Sequence, residues 1–208
     1  MYDFLIDLDD YFCEKYAHYD KICALPGYRM PKMQTSRTDE WGRTFAYTLP
    51  ADTMRLALQE NKQELLKTLK ERIVDKTFSF SFVPLGIFKR IKYTYGKFSP
   101  KKELMRLLGI YKITAEEAGE ELAIDSEIWK KICKGKFKMT KNTILSLALT
   151  VHFTFEETQK LLAYCEYEFD YTMVKDVVIA YLLQNKVYNR PMIDAALQEY
   201  KVANLFIK

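Results

Sequence analysis

The chain has 208 residues, 49% hydrophobic and 29% charged, with seven Gly and six Pro. This allows one or two domains with a packed core and leaves little room for long disordered linkers. A formal charge of +4 is too small to imply a nucleic-acid partner unless the cations are clustered, and no apolar run approaches the roughly 20 residues of a membrane span.

The opening MYDFLIDLDDYF is acidic and does not read as a secretion signal. Cys13, Cys23, Cys133 and Cys165 lie far apart with no CxxC pair, which favours reduced thiols over a disulfide frame or a zinc site. The expectation is a cytoplasmic, bacterial-type protein. Residues 2 to 25 carry Phe4, Leu5, Leu8, Tyr11, Phe12, Tyr16, Tyr19, Ile22 and Cys23, spacings that predict one or two amphipathic helices. FLIDLDD superficially resembles the strand-plus-Asp-x-Asp start of haloacid-dehalogenase-like phosphatases, with Asp7 and Asp9 as candidates. The helical spacing continues past it, so the acids are expected on a solvated helix face.

Residues 34 to 49 are polar and Gly-punctuated, as in a loop or short hairpin. Pro50 then opens a helical pattern running to about Val74, with Met54, Leu56, Leu58, Leu65, Leu66, Leu69 and Ile73 on one face. Thr77 to Val83 alternates polar and apolar and predicts an extended segment. Residues 86 to 106 hold seven Lys/Arg and one acid, interleaved with Phe88, Tyr93, Tyr95 and Phe98. Two readings stand for this stretch: a single-strand nucleic-acid groove, or an aromatic core with lysine stems laid along it. Ser99 is placed to cap a helix whose first residue is Pro100. From there to Tyr200 the pattern is helical throughout. The expected fold is mostly α, with a division near residue 98.

Thr114 to Lys141 changes character halfway. Residues 113 to 128 hold six acids and no base, whereas residues 129 to 141 hold six lysines and no acid. Thr114 and Glu117 form a potential capping box. Ala118 and Leu122 face inward, and Gly119 permits a close helix approach. Ala123 and Ile124 make a turn, Asp125 caps the next helix, and Ile128, Trp129 and Ile132 point inward. Gly135 ends that helix in the left-handed conformation.

This spacing resembles the lambda-repressor/Cro-type (XRE) helix-turn-helix, whose pattern maps without a gap from Ile113-Thr114 to Gly135-Lys136 and continues into MTKNTILSLALTVHFTFEETQKLL, covering about residues 101 to 163. Residues 164 to 208 resemble the helical extension that follows such a module in Firmicute-type hypothetical proteins. The resemblance implies an N-terminal α-helical domain of unknown role over residues 1–98, a helix-turn-helix domain over 99–163, and a helical extension over 164–208 packed on it. It also implies DNA binding in transcriptional regulation, commonly as a homodimer on paired half-sites. Ser126 and Lys130 would then approach bases, with Glu127 on the same early helix turn. Lys130, Lys131, Lys134, Lys136 and Lys138 would grip phosphates.

The chain departs from the family where Ala115 stands in place of the frequent Gln, and where Glu116, Glu120 and Glu127 add negative charge beside the DNA path. A protein-interaction adaptor that keeps the fold without DNA affinity is therefore the alternative. No GxxxxGK[ST], GxGxxG, GxSxG or HExxH occurs, and His18 and His152 are the only histidines. No catalysis, cofactor, metal or membrane partner is expected. Val174, Val177, Val178, Tyr181, Leu182 and Leu183 line one C-terminal helix, and Ile193, Ala196, Leu197 and Tyr200 the next. These faces are expected to complete the chain's own core; a dimer seam is the alternative.

Overall fold

The computed structural model describes residues 2–31, 34–48, 51–73, 81–202 and 205–207, and its architecture is mostly α with one small antiparallel hairpin. Helix α1 (Tyr2–Lys15) buries Leu8, Phe12 and Cys13, and α2 (Tyr19–Cys23) follows after a short break. The acids of α1 are not uniformly solvated. Asp7 and Asp10 are exposed, but the Asp9 carboxylate accepts from the Tyr200 hydroxyl at 2.7 Å and from Lys70 Nζ at 2.6 Å. The stretch FLIDLDD is thus helical, and one of its acids is a tie to distant parts of the chain.

Strands β1 (Gln34–Thr38) and β2 (Thr44–Thr48) pair antiparallel, Gln34 opposite Thr48 and Thr38 opposite Thr44. The turn closes because Asp39 Oδ1 accepts from the Trp41 and Arg43 amides, while Gly42 adopts φ +76°.

The single helix expected from Pro50 to about Val74 is interrupted; those two end residues lie outside the described ones. Short 3₁₀ turns at Ala51–Met54 and Leu56–Leu58 come first, and α3 (Lys62–Arg72) begins only afterwards. The cause is local and polar. Gln59 takes an extended conformation and clasps the Arg29 backbone, accepting from its amide at 3.0 Å and donating to its carbonyl at 3.1 Å. Asn61 donates to the Gly27 carbonyl. Of the expected extended segment, residues 77–80 lie outside the described ones, and Ser81–Val83 carry no regular structure.

Helix α4 (Ile87–Tyr95) leads to α5 (Pro100–Ile110). Ser99 caps α5 by accepting from the Lys102 amide, and its own hydroxyl donates to the Tyr93 carbonyl at 2.6 Å. Helices α6 (Ala115–Glu121) and α7 (Ser126–Cys133) come next, then α8 (Lys141–Val151), α9 (Phe155–Tyr164), α10 (Val174–Gln184) and α11 (Arg190–Glu199).

The core centres on α8 and α10, which are buried almost all round, as helices apolar on every side must be. Val177, Val178, Leu182 and Leu183 are buried within the chain itself, as are Ile179 and Ala180 on the remaining face. Helix α10 touches α1, α8, α9 and α11. Asp176 of α10 bonds Lys141 Nζ at the start of α8 and accepts from the Asp170 amide at 2.6 Å; its burial pushes the carboxyl above the ordinary range. Among the described residues, no helix is long and apolar enough to cross a membrane.

Candidate nucleic-acid interface

The pair α6 and α7 is built by its own caps. Thr114 Oγ1 accepts from the Glu117 amide at 3.1 Å, and Glu117 Oε2 accepts from the Thr114 amide at 2.7 Å. The Thr114 amide, with the Thr114 hydroxyl donating to the same oxygen at 2.8 Å, holds the Glu117 carboxyl below the usual range. Asp125 Oδ1 accepts from the Glu127 and Ile128 amides, both at 3.0 Å, which satisfies the first donors of α7. Ala118, Leu122 and Ile132 are buried in the angle between the helices, with Ile124 and Ile128 packed partly against them.

Trp129 locks this angle. It is 4% exposed, and its Nε1 donates to the Ala115 carbonyl at 2.6 Å. A Cβ at position 119 would sit 2.3 Å from its Cδ1, so glycine is what permits the indole to lie against α6. Gly135 then ends α7 at φ +67°, where a Cβ would meet Thr94 Oγ1 at 2.6 Å. The following chain is pinned by two backbone bonds: the Leu85 amide donates to the Lys136 carbonyl and the Lys138 amide to the Val83 carbonyl.

The expected contact residues do not share one surface. Ser126, Lys130 and Lys134 share a groove of about 390 Å³ with Glu116 and Glu120 of α6. Glu127 and Lys131 complete the exposed arc of α7; Glu127 pairs with Lys130 Nζ at 3.1 Å, and Lys131 Nζ sits 5.5 Å from the Phe137 ring centroid. Lys136 faces away, toward α4. Lys138 turns to the end of α9, 3.4 Å from a Glu166 carboxylate oxygen and 4.6 Å from the Tyr167 ring centroid.

A second groove, about 410 Å³, brings Lys134 and Lys136 together with Arg90 of α4 and Lys101 of α5. Neither Arg90 nor Lys101 is among the residues expected at the site. The run KRIKYTYGKF showed the charge of α4, but only the packing of that helix beside Gly135 sets these cations next to the lysines of α7. The aromatics of that run also divide: Tyr93 is buried, with its hydroxyl accepting from the Met139 amide at 3.2 Å, whereas Phe88, Tyr95 and Phe98 are exposed. An aromatic core over the whole run is therefore not what forms.

Among the described residues no cluster of His, Cys, Asp or Glu is arranged to hold a metal ion. Burial pushes the Cys13, Cys133 and Cys165 thiols up to about 12, which keeps them protonated near neutrality. No family model matches the chain, and no curated protein or solved structure matches it.

Proposed function

We propose that the chain is a non-enzymatic regulator that binds DNA through α6 and α7, with α7 entering the major groove in the manner of the XRE helix-turn-helix it resembles. The observation that carries this reading is the bare outer arc of α7: Ser126, Glu127, Lys130, Lys131 and Lys134 are all exposed, while Trp129 and Ile132 fix the opposite side. Among the described residues, the backbone bonds of Val83 and Leu85 reach the chain beyond α7, at Lys138 and Lys136. Lys130, Lys131 and Lys134 grip phosphates, Ser126 meets base edges, and a homodimer reads two half-sites.

The test is a salt series on random and mixed duplex DNA. Affinity should fall steeply with salt, and Lys130→Glu with Lys134→Glu should abolish binding, since a phosphate with no lysine against it keeps its condensed counterions and each new acid repels it. No binding even at low salt overturns the reading.

One observation favours a second function. Glu116 and Glu120 line the same groove as Lys130 and Lys134, so a phosphate backbone entering there meets acids as well as lysines. A basic protein partner meets the acids of that groove without this penalty. In that case charge reversal at Glu116 and Glu120 breaks the complex and the lysine changes do little.

A further inference from the structure

Helix α4 sets Ile87, Ile91 and Tyr95 four residues apart on one stripe, with Phe88 beside it. These side chains face solvent: they are 77%, 54%, 73% and 88% exposed in that order. The charged residues of α4 are Lys89, Arg90 and Lys92, with no acid. On one side the stripe forms the apolar wall of the groove whose charged lining is Arg90, Lys101, Lys134 and Lys136, again with no acid.

We propose that this face docks on a bilayer containing anionic phospholipid. The Ile87–Phe88–Ile91–Tyr95 stripe enters the boundary between headgroups and acyl chains, and the groove cations take lipid phosphates. A protruding apolar stripe flanked by cations complements an apolar layer rimmed with negative charge. A nucleic acid would satisfy the cations but leave Ile87, Phe88 and Ile91 in water. A second copy joined across a two-fold axis would set the cationic flanks against each other. The length of apolar runs, from which no membrane partner was expected, excludes a span and says nothing of a helix lying in the interface. Lys134 belongs also to the proposed DNA set, so membrane and DNA compete for it; that consequence alone rests on the DNA reading.

The test is sedimentation of the full chain with vesicles of equal parts phosphatidylglycerol and phosphatidylcholine, and with phosphatidylcholine alone. The protein should pellet with the first and not the second. Ile87→Ser, Phe88→Ser and Ile91→Ser together should weaken binding at least about a hundredfold, the apolar burial of three side chains being lost, with an unchanged circular dichroism melt. Lys89→Glu with Arg90→Glu should weaken it at least about twentyfold, each cation at the surface contributing about fivefold. The proposal is overturned by failure to pellet with anionic vesicles, or by a triple variant that binds as well as its parent. It is also overturned by equal affinity for soluble polyglutamate, or by a parent dimer that the triple variant turns into a monomer. No DNA enters these measurements, so failure of the DNA reading leaves their outcome unaffected.

Discussion

Helices α4 and α7 are both short, basic and amphipathic, yet they are mounted in opposite senses. Helix α7 turns Trp129 and Ile132 into the core and shows its lysines to solvent. Helix α4 is held by Tyr93 and Thr94 and leaves Ile87, Phe88, Ile91 and Tyr95 outside. What separates them is the anchor. Trp129 fills the angle between two helices and donates one hydrogen bond there, so its whole face must be buried. Tyr93 instead reaches past its own helix: its hydroxyl serves the Met139 amide and lies 3.8 Å from Cys165 Sγ, while its carbonyl accepts from Ser99. One deep aromatic and a few polar bonds are enough to seat α4, whatever the rest of its surface carries. Amphipathic spacing establishes that a helix has two unlike faces; the anchor decides which one the core receives.

The comparison breaks first at Trp129. Trp129→Ala removes a buried indole and the Ala115 bond, and should cost about 3–5 kcal/mol, read as a large drop in the denaturation midpoint of the purified chain. Tyr93→Phe tests the other anchor. It strands the buried Met139 amide and should cost about 1–2 kcal/mol, with faster hydrogen exchange confined to α4 and the chain about Met139.

Helix α5 bridges the two, and its Glu103 sharpens the contrast through pH. The Arg106 guanidinium, bonded at 2.6 and 3.1 Å, holds that carboxyl below the ordinary range, with Lys160 adding to it and burial opposing. A folded value below the unfolded one gives stability that is complete above about pH 4.3 and is lost as pH falls through the folded value. Glu103→Gln should therefore cost about 1 kcal/mol near neutrality and flatten the acid limb of a stability–pH curve. The smallest effect belongs to Phe88→Ser: an exposed side chain contributes little to folding, so stability should change by less than about 0.5 kcal/mol. A larger loss would mean that the outer face of α4 is packed in solution.

The caps at Ser99, Thr114 and Asp125, the glycine at 119 and the burial of Trp129 were legible in the sequence because each depends on neighbours within a few residues or on one neighbouring helix. The break at Gln59 was not. Its side chain answers to the backbone of Arg29, which no helical periodicity registers. Asp9 was misjudged for the same reason, since its partners are Lys70 and Tyr200. At the candidate site, the lysines of α7 could be named, but their division could not. Lys138 is drawn to Glu166 and Tyr167, and Lys136 joins Arg90 and Lys101, through contacts set by the packing of α4 and α9.

The bond between Tyr200 and Asp9 joins residues 191 positions apart, and Phe12 lies against the same tyrosine, their ring centroids 4.6 Å apart. Synthesis at about 5–20 residues per second separates the two ends by roughly 10 to 40 s. Throughout that interval α1 has emerged while part of its binding face has not been made. Helix α1 can pack on the turn at Leu56–Leu58 and on α3 before then, but the part of its apolar side that meets α10 and Tyr200 stays open to chaperones and to other nascent chains until those residues are made.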